Sequence, residues 1–108
     1  MKYFETVFLE SALAFFEDLD PKTRKKLLYN IRLSEQCNDP KLFKKLGGDI
    51  WEFRARYNNQ QIRLLAFWDK RSSDKTLVVV SNGLYKKFRK TPKSEIKQAE
   101  NYRFEYFN

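Results

Sequence analysis

The sequence predicts an α+β domain: two N-terminal helices and one C-terminal helix packed on a mainly antiparallel four-stranded sheet, in the order β-α-α-β-β-β-α. Three observations predict it. Apolar residues recur at helical spacing near both ends of the chain. They alternate with charged residues at strand spacing through the middle. Only three glycines and three prolines interrupt the 108 residues, and no repeat or Ser/Gly-rich tract marks a linker, so residues 1–108 read as one domain.

Taken in order, residues 3–8 (Tyr-Phe-Glu-Thr-Val-Phe) have the aromatic and β-branched content of a short strand. Leu9, Ala12, Leu13 and Phe16 then fall at i, i+3, i+4 and i+7, one apolar stripe on a helix ending near Leu19. Asp20-Pro21 supplies an acidic N-cap and a proline at the first helical position, and Leu27, Leu28 and Ile31 give the second helix its buried face. Asn38-Asp39-Pro40 stops that helix, and Gly47-Gly48-Asp49 marks a turn before the sheet.

From Ile50 to Tyr57 the alternation is strict: Trp51, Phe53, Ala55 and Tyr57 point one way, Glu52, Arg54 and Arg56 the other. Asn58-Asn59-Gln60 is a polar turn of hairpin length. Residues 62–68 are apolar on both faces except for Arg63, as a central strand would be. A charged loop over 69–75 leads to a third β-rich run, 76–81. Thr91-Pro92 opens the last helix, on which Ile96, Ala99, Tyr102 and Tyr106 keep helical spacing. With the helices gathered on one face, the other face of the sheet is left for a ligand.

Composition excludes several chemistries. With no histidine and a single cysteine, Cys37, the chain can build no Ser-His-Asp triad, Cys-His pair, thiolate or imidazole zinc site, or intrachain disulfide. Neither metal nor cofactor is expected, and any catalysis must use Lys, Arg, Glu, Asp, Tyr or backbone groups. The longest apolar stretches, around Leu64–Trp68 and Leu77–Val80, are far shorter than the roughly 20 residues of a membrane span. No signal-peptide pattern opens the chain, so a soluble cytoplasmic protein without a membrane partner is expected. The net charge of +8 is uneven: residues 1–20 carry −4, leaving +12 on residues 21–108.

The candidate site lies on the charged face of the sheet. Glu52, Arg54 and Arg56 share that face, joined by Arg63 if the hairpin register sets it opposite them. After the last strand, residues 85–93 read YKKFRKTPK, in which Lys86, Lys87, Arg89, Lys90 and Lys93 are interleaved with Tyr85 and Phe88. Cations that neutralise phosphates and rings that stack on unpaired bases suit single-stranded nucleic acid. A basic run and a charged sheet face are also ordinary solvated surfaces. Arg63 is different, because a guanidinium in an apolar strand is costly unless paired, either with Glu52 or with a phosphate. Trp51, Phe53 and Trp68 read as core aromatics rather than stacking platforms.

The segment KLFKKLGGDIWEFRARYNNQQIRLLAFW, followed by LVVVSNGLYKKFRKTPKSEIKQAENY, resembles the HigB-type, phage-derived branch of the RelE/ParE toxin superfamily. The features that carry the likeness are a lysine-leucine-glycine lead, a Trp-Glu-aliphatic-Arg strand, an arginine-bearing strand and a Lys-Lys-x-x-Lys-Thr-Pro approach to the last helix. It extends from about Lys41 to Tyr102. The resemblance implies a RelE-like fold and the toxin of a toxin-antitoxin pair, acting as a ribosome-dependent endoribonuclease on messenger RNA. It implies basic roles for Arg54 and Arg56 on the first hairpin strand, phosphate binding by Arg63, and a functional cation at Lys86 or Lys87. It also implies a cognate antitoxin, typically a helix-turn-helix protein encoded in the same operon. The chain departs from the pattern at Glu52, where RelE-like relatives have lysine, and in lacking the histidines of some HigB members and a clear match to the catalytic tyrosine of RelE.

Cleaving RNA without a metal requires that a ribose 2′-hydroxyl lose its proton and attack phosphorus while negative charge builds on the phosphorane. Arg54 and Arg63 are the expected phosphate ligands and Lys87 the expected proton-transfer group, with Glu52, a lysine of lowered pKa or Tyr85 as other candidates. Arg56, Lys86, Tyr85, Arg89, Lys90 and Lys93 are expected to bind RNA. Two alternatives remain open at this point: a ParE-like toxin that poisons gyrase by protein contact, and a catalytically inactive module that binds nucleic acid or antitoxin.

Overall fold

A computed structural model describes residues 2–87 and 89–108. The elements are β1 (Glu5–Phe8), α1 (Glu10–Glu17), α2 (Pro21–Gln36), β2 (Phe43–Gly47), β3 (Ile50–Tyr57), β4 (Gln60–Asp69), β5 (Leu77–Tyr85) and α3 (Lys93–Phe107). The fold is α+β, as expected, but the sheet differs from the expected one. It has five strands in the order β1-β5-β4-β3-β2, and it is mixed, because β1 runs parallel to β5.

The added strand, β2, is paired antiparallel with β3 through Phe43↔Phe53, Lys44↔Glu52 and Lys45↔Trp51. Two adjacent lysines hide its alternation, yet lysine suits an edge strand, where it discourages pairing with another chain. Gly48, at φ +55°, turns the chain into β3. Asn58 and Asn59 both take left-handed conformations, at φ 54° and 64°, the requirement of a two-residue turn that matches strand twist. That tight turn fixes the β3–β4 register and sets Arg54 directly opposite Arg63.

The helices do not share one face, which corrects the second expectation. Ala12, Leu27 and Ile31 of α1 and α2 pack on Phe53, Ala55, Ile62, Leu64, Ala66, Val78 and Val80. Ala99, Ile96, Tyr106 and Phe107 of α3 pack on Ile50, Leu65, Phe67 and Val79, the alternate residues of the same strands. A strand as apolar as β4 needs cover on both sides, and α3 provides it on the second. The face left open is therefore only the part that α3 does not reach. On α1 the buried stripe is also rotated: Ala12 is fully buried while Leu13 is 43% exposed. At the start of α2, Asp20 accepts hydrogen bonds from the Lys22 and Thr23 amides at 3.2 Å, as its position before Pro21 suggests.

The C-terminal end of α3 is tied to β4 by Asp69, a buried carboxylate that accepts from Arg71 Nε and Nη2 at 3.0 and 2.9 Å and from the Tyr106 hydroxyl at 2.7 Å. The Arg71 hydrogen bonds hold the Asp69 carboxyl well below the usual carboxylate range, against the opposing effect of burial. Because its folded pKa is depressed, its contribution to stability is complete above the unfolded carboxylate range, about pH 4, and is lost as pH falls further. Urea midpoints should therefore drop between about pH 4 and about pH 2 in the wild type, and drop less steeply in Asp69→Asn. Among the described residues no helix is long and apolar enough to cross a membrane.

Candidate functional site

The site is built on the rung where β3 and β4 place Arg54 opposite Arg63. Alternation along β3 puts Glu52 on the same face, and the β2–β3 pairing sets Lys44 beside Glu52. Arg63 is only 4% exposed and Glu52 3%, so both charged groups are withdrawn from water. Arg63 Nε lies 3.4 Å from Glu52 Oε1, Nη1 donates to the Ile62 carbonyl at 3.0 Å, and Nη2 donates to Gln61 Oε1 at 2.8 Å. Glu52 Oε1 also accepts from the Thr91 hydroxyl at 3.0 Å. The threonine of the Lys-Thr-Pro motif thus braces, across 39 residues of sequence, the carboxylate that faces Arg63.

The arrangement is not a closed ion pair. Among the described residues, the buried Nε atoms of both Arg54 and Arg63 have no hydrogen-bond partner. Burial lowers the Arg63 pKa most, Arg54 lowers it further, and Glu52 opposes the shift. Arg54 and Arg63 thus share one rung of the sheet, with the Glu52 carboxylate set against Arg63, an excess of positive charge that a phosphate would neutralise. Arg54 is anchored through its backbone, whose amide donates to the Leu42 carbonyl at 2.8 Å and whose carbonyl accepts from Asn30 Nδ2 at 3.0 Å.

The arginines open on a groove of about 540 Å³, formed where β2 stops short of the end of β3. Lys26, Lys41, Arg54, Arg56 and Arg63 line it with Asn30 and Gln61, and among the described residues no carboxylate does. Lys86 approaches from β5: its amide donates to the Gln61 carbonyl at 2.7 Å, so Gln61 holds Arg63 by its side chain and Lys86 by its main chain. Burial lowers the Lys86 pKa first, then Arg63, with Arg54 and Lys44 adding to the effect and Glu52 opposing it.

Of the residues singled out from sequence, Glu52, Arg54, Arg63 and Lys86 come together, and Arg56 stands exposed on the groove. Lys87 is exposed and lines a neighbouring depression with Asn59, Gln60 and Tyr85. Tyr85 faces the other way: opposite Ile62 in the ladder, its ring lies 5.5 Å from that of Phe15 on the α1 side of the sheet. Arg89, Lys90 and Lys93 are exposed, Lys93 as the first residue of α3, and none lines the arginine groove. Phe88 lies outside the described residues. Lys26, Asn30, Lys41, Lys44, Gln61 and Thr91 were not legible as site residues. Only Gln61 carried a local signal, two positions from Arg63 and so on the same strand face.

A family model described as Phage derived protein Gp49-like (DUF891) matches residues 14–103. The chain belongs to that family. The match covers both arginine-bearing strands, α2 and all but the last residues of α3. Gp49-like proteins are a RelE-like toxin family, associated with the toxins of toxin-antitoxin pairs. No curated protein matches the chain. In this Gp49-like chain the cationic groove, the braced Arg63 and Lys86 all fall within the matched segment.

Proposed function

We propose that this Gp49-like chain is a HigB-type toxin that cleaves messenger RNA on the ribosome, in the cytoplasm, and is held by a cognate helix-turn-helix antitoxin. The observation that carries the reading is the Arg54–Arg63 rung, whose buried Nε atoms have no hydrogen-bond partner among the described residues, beside a groove whose charged lining is cationic. Its net charge of +8 favours both RNA and an acidic antitoxin segment.

In this mechanism Arg54 and Arg63 hold the non-bridging oxygens of the scissile phosphate, donors that are each worth about 3 kcal/mol when well aimed. Lys86, in its neutral form, takes the proton of the ribose 2′-hydroxyl. The O2′–P bond forms as the P–O5′ bond breaks, and the leaving 5′-oxygen takes a proton from an ammonium group. The products are a 2′,3′-cyclic phosphate and a 5′-hydroxyl. Glu52, engaged by Thr91 and Arg63, positions the arginine rather than accepting the proton. Lys86 replaces Lys87 as the preferred proton-transfer group because it sits in the field of both arginines. Lys87, Arg56, Arg89, Lys90 and Lys93 serve as backbone contacts at the surface.

A base must be deprotonated to act, so the single-turnover rate should rise with pH and level off below the ordinary lysine range of about 10.4. Lys86→Met should remove that rise together with most of the activity, whereas Lys87→Met should leave the plateau at the same pH. The function itself is tested by inducing the wild type in a bacterial host and mapping RNA 5′ ends. New ends inside translated reading frames, absent with Arg54→Ala, are expected. Growth arrest with intact transcripts and damaged DNA would overturn the reading in favour of a gyrase-directed toxin.

A further inference from the structure

The N-terminal end of α3 lies by the arginine pair, and its C-terminal end borders a second groove, of about 640 Å³. Lys45, Lys70, Arg71 and Arg103 line it together with the half-buried rings of Trp51 and Trp68. The balance of charge there is positive. Asp49, the carboxylate in the lining, lies 3.6 Å from Arg103, and Arg71 is engaged by Asp69. The rings are positioned as platforms as well as core. Trp51 and Trp68 meet edge to face at 5.6 Å, and the Lys70 ammonium rests 4.9 Å from the centre of the Trp68 ring. Arg71 and Arg103 lie 4.8 and 5.1 Å from the Phe107 ring.

A cation on a flexible stem over an indole face marks a place where a flat π system can be exchanged for the cation, which then meets a phosphate. An acidic peptide would satisfy the charges but leave the rings unused. Single-stranded nucleic acid uses both. We propose that this groove is a second single-stranded RNA-binding surface, with a base stacked on Trp68 and phosphates held by Lys45, Lys70 and Arg103. Its assignment to RNA rather than DNA rests on the RNA-cleaving reading of the arginine site. The Trp51 rung is three residues along β3 from the Arg54 rung, and the two side chains leave opposite faces of the strand, so this groove is a surface separate from the arginine site.

Trp51 and Trp68 are the only tryptophans and line both this groove and a smaller pocket beside Phe4 and Phe43, so tryptophan fluorescence detects binding at either, and Lys70 and Arg103, which line this groove and not that pocket, distinguish them. The probe is a 2′-O-methyl oligouridylate of about ten nucleotides, which has no free 2′-hydroxyl and cannot be cut. Saturable quenching is expected in the wild type and in Arg54→Ala. In the folded Lys70→Ala/Arg103→Ala variant, affinity should fall several-fold and the slope of log affinity against log salt should become shallower by about 1.4, roughly 0.7 for each phosphate no longer neutralised. Absence of quenching, or an unchanged affinity and salt slope in the double variant, would overturn the proposal. So would quenching by a polyglutamate peptide but not by the oligonucleotide. A protein that quenches without cutting RNA keeps this groove and loses the nuclease reading; one that cuts without quenching does the reverse.

Discussion

Replacing Arg63 with alanine should lower RNA cleavage by about two to three orders of magnitude, the loss expected when one aimed donor to a developing oxyanion is removed. The same substitution carries a structural penalty. It leaves the Glu52 carboxylate, 3% exposed, with the Thr91 hydroxyl but without its cation. Removing one partner of a buried pair typically costs about 3 to 5 kcal/mol, so loss of activity in Arg63→Ala alone could be loss of fold. The double variant Arg63→Met/Glu52→Gln separates the two effects, since it removes both charges and keeps their volumes. Urea denaturation should show its stability restored to near the wild-type value, while cleavage stays absent in the 5′-end map. A double variant that cut RNA at the wild-type rate would remove the phosphate clamp from the mechanism.

Phe53→Ala should be the most damaging single change in the core, at about 3 to 5 kcal/mol. Phe53 is fully buried between Glu52 and Arg54 in sequence but on the opposite face of β3. Its ring is stacked 4.3 Å from Phe43 and lies 6.1 Å from Phe4. Removing it opens a cavity under both site residues and takes away a large part of the roughly 5 to 15 kcal/mol that holds a domain folded. The melting temperature should fall by roughly 12 °C or more, with Phe53→Leu intermediate. A loss below about 1 kcal/mol would show that β2 and β1 do not depend on this ring.

What could be read from the sequence follows the range of the interactions. The alternation of Trp51 to Tyr57 and the polar turn after it are local and put Arg63 within reach of the Arg54 face, but whether the two stood opposite each other depended on a register that only the two left-handed residues Asn58 and Asn59 settle. β2 was not legible, because Lys44-Lys45 breaks the period and the strand exists only by pairing with β3. The side of the sheet taken by α3 was not legible either. β4 is apolar on both faces, which demands cover on both, but no local pattern says which helix supplies it. Within the site, Lys26, Asn30 and Lys41 reach the arginines from α2 and the segment after it, through packing that spacing along one element cannot reveal. Lys86 and Lys87 are neighbours in sequence and equal in type, and they differ only in what lies around them: Arg63 and burial for the first, solvent for the second.

The parallel pairing of β1 with β5 joins residues 5–8 to residues 77–80, and the Thr91 hydroxyl reaches back to Glu52. Both closures wait for the last part of the chain to be made. During synthesis the first strand has no partner until β5 has emerged, and Arg63 lacks its braced carboxylate until residue 91 follows. The cationic pair is consequently organised only after residue 91 has been made, whatever it is organised to bind.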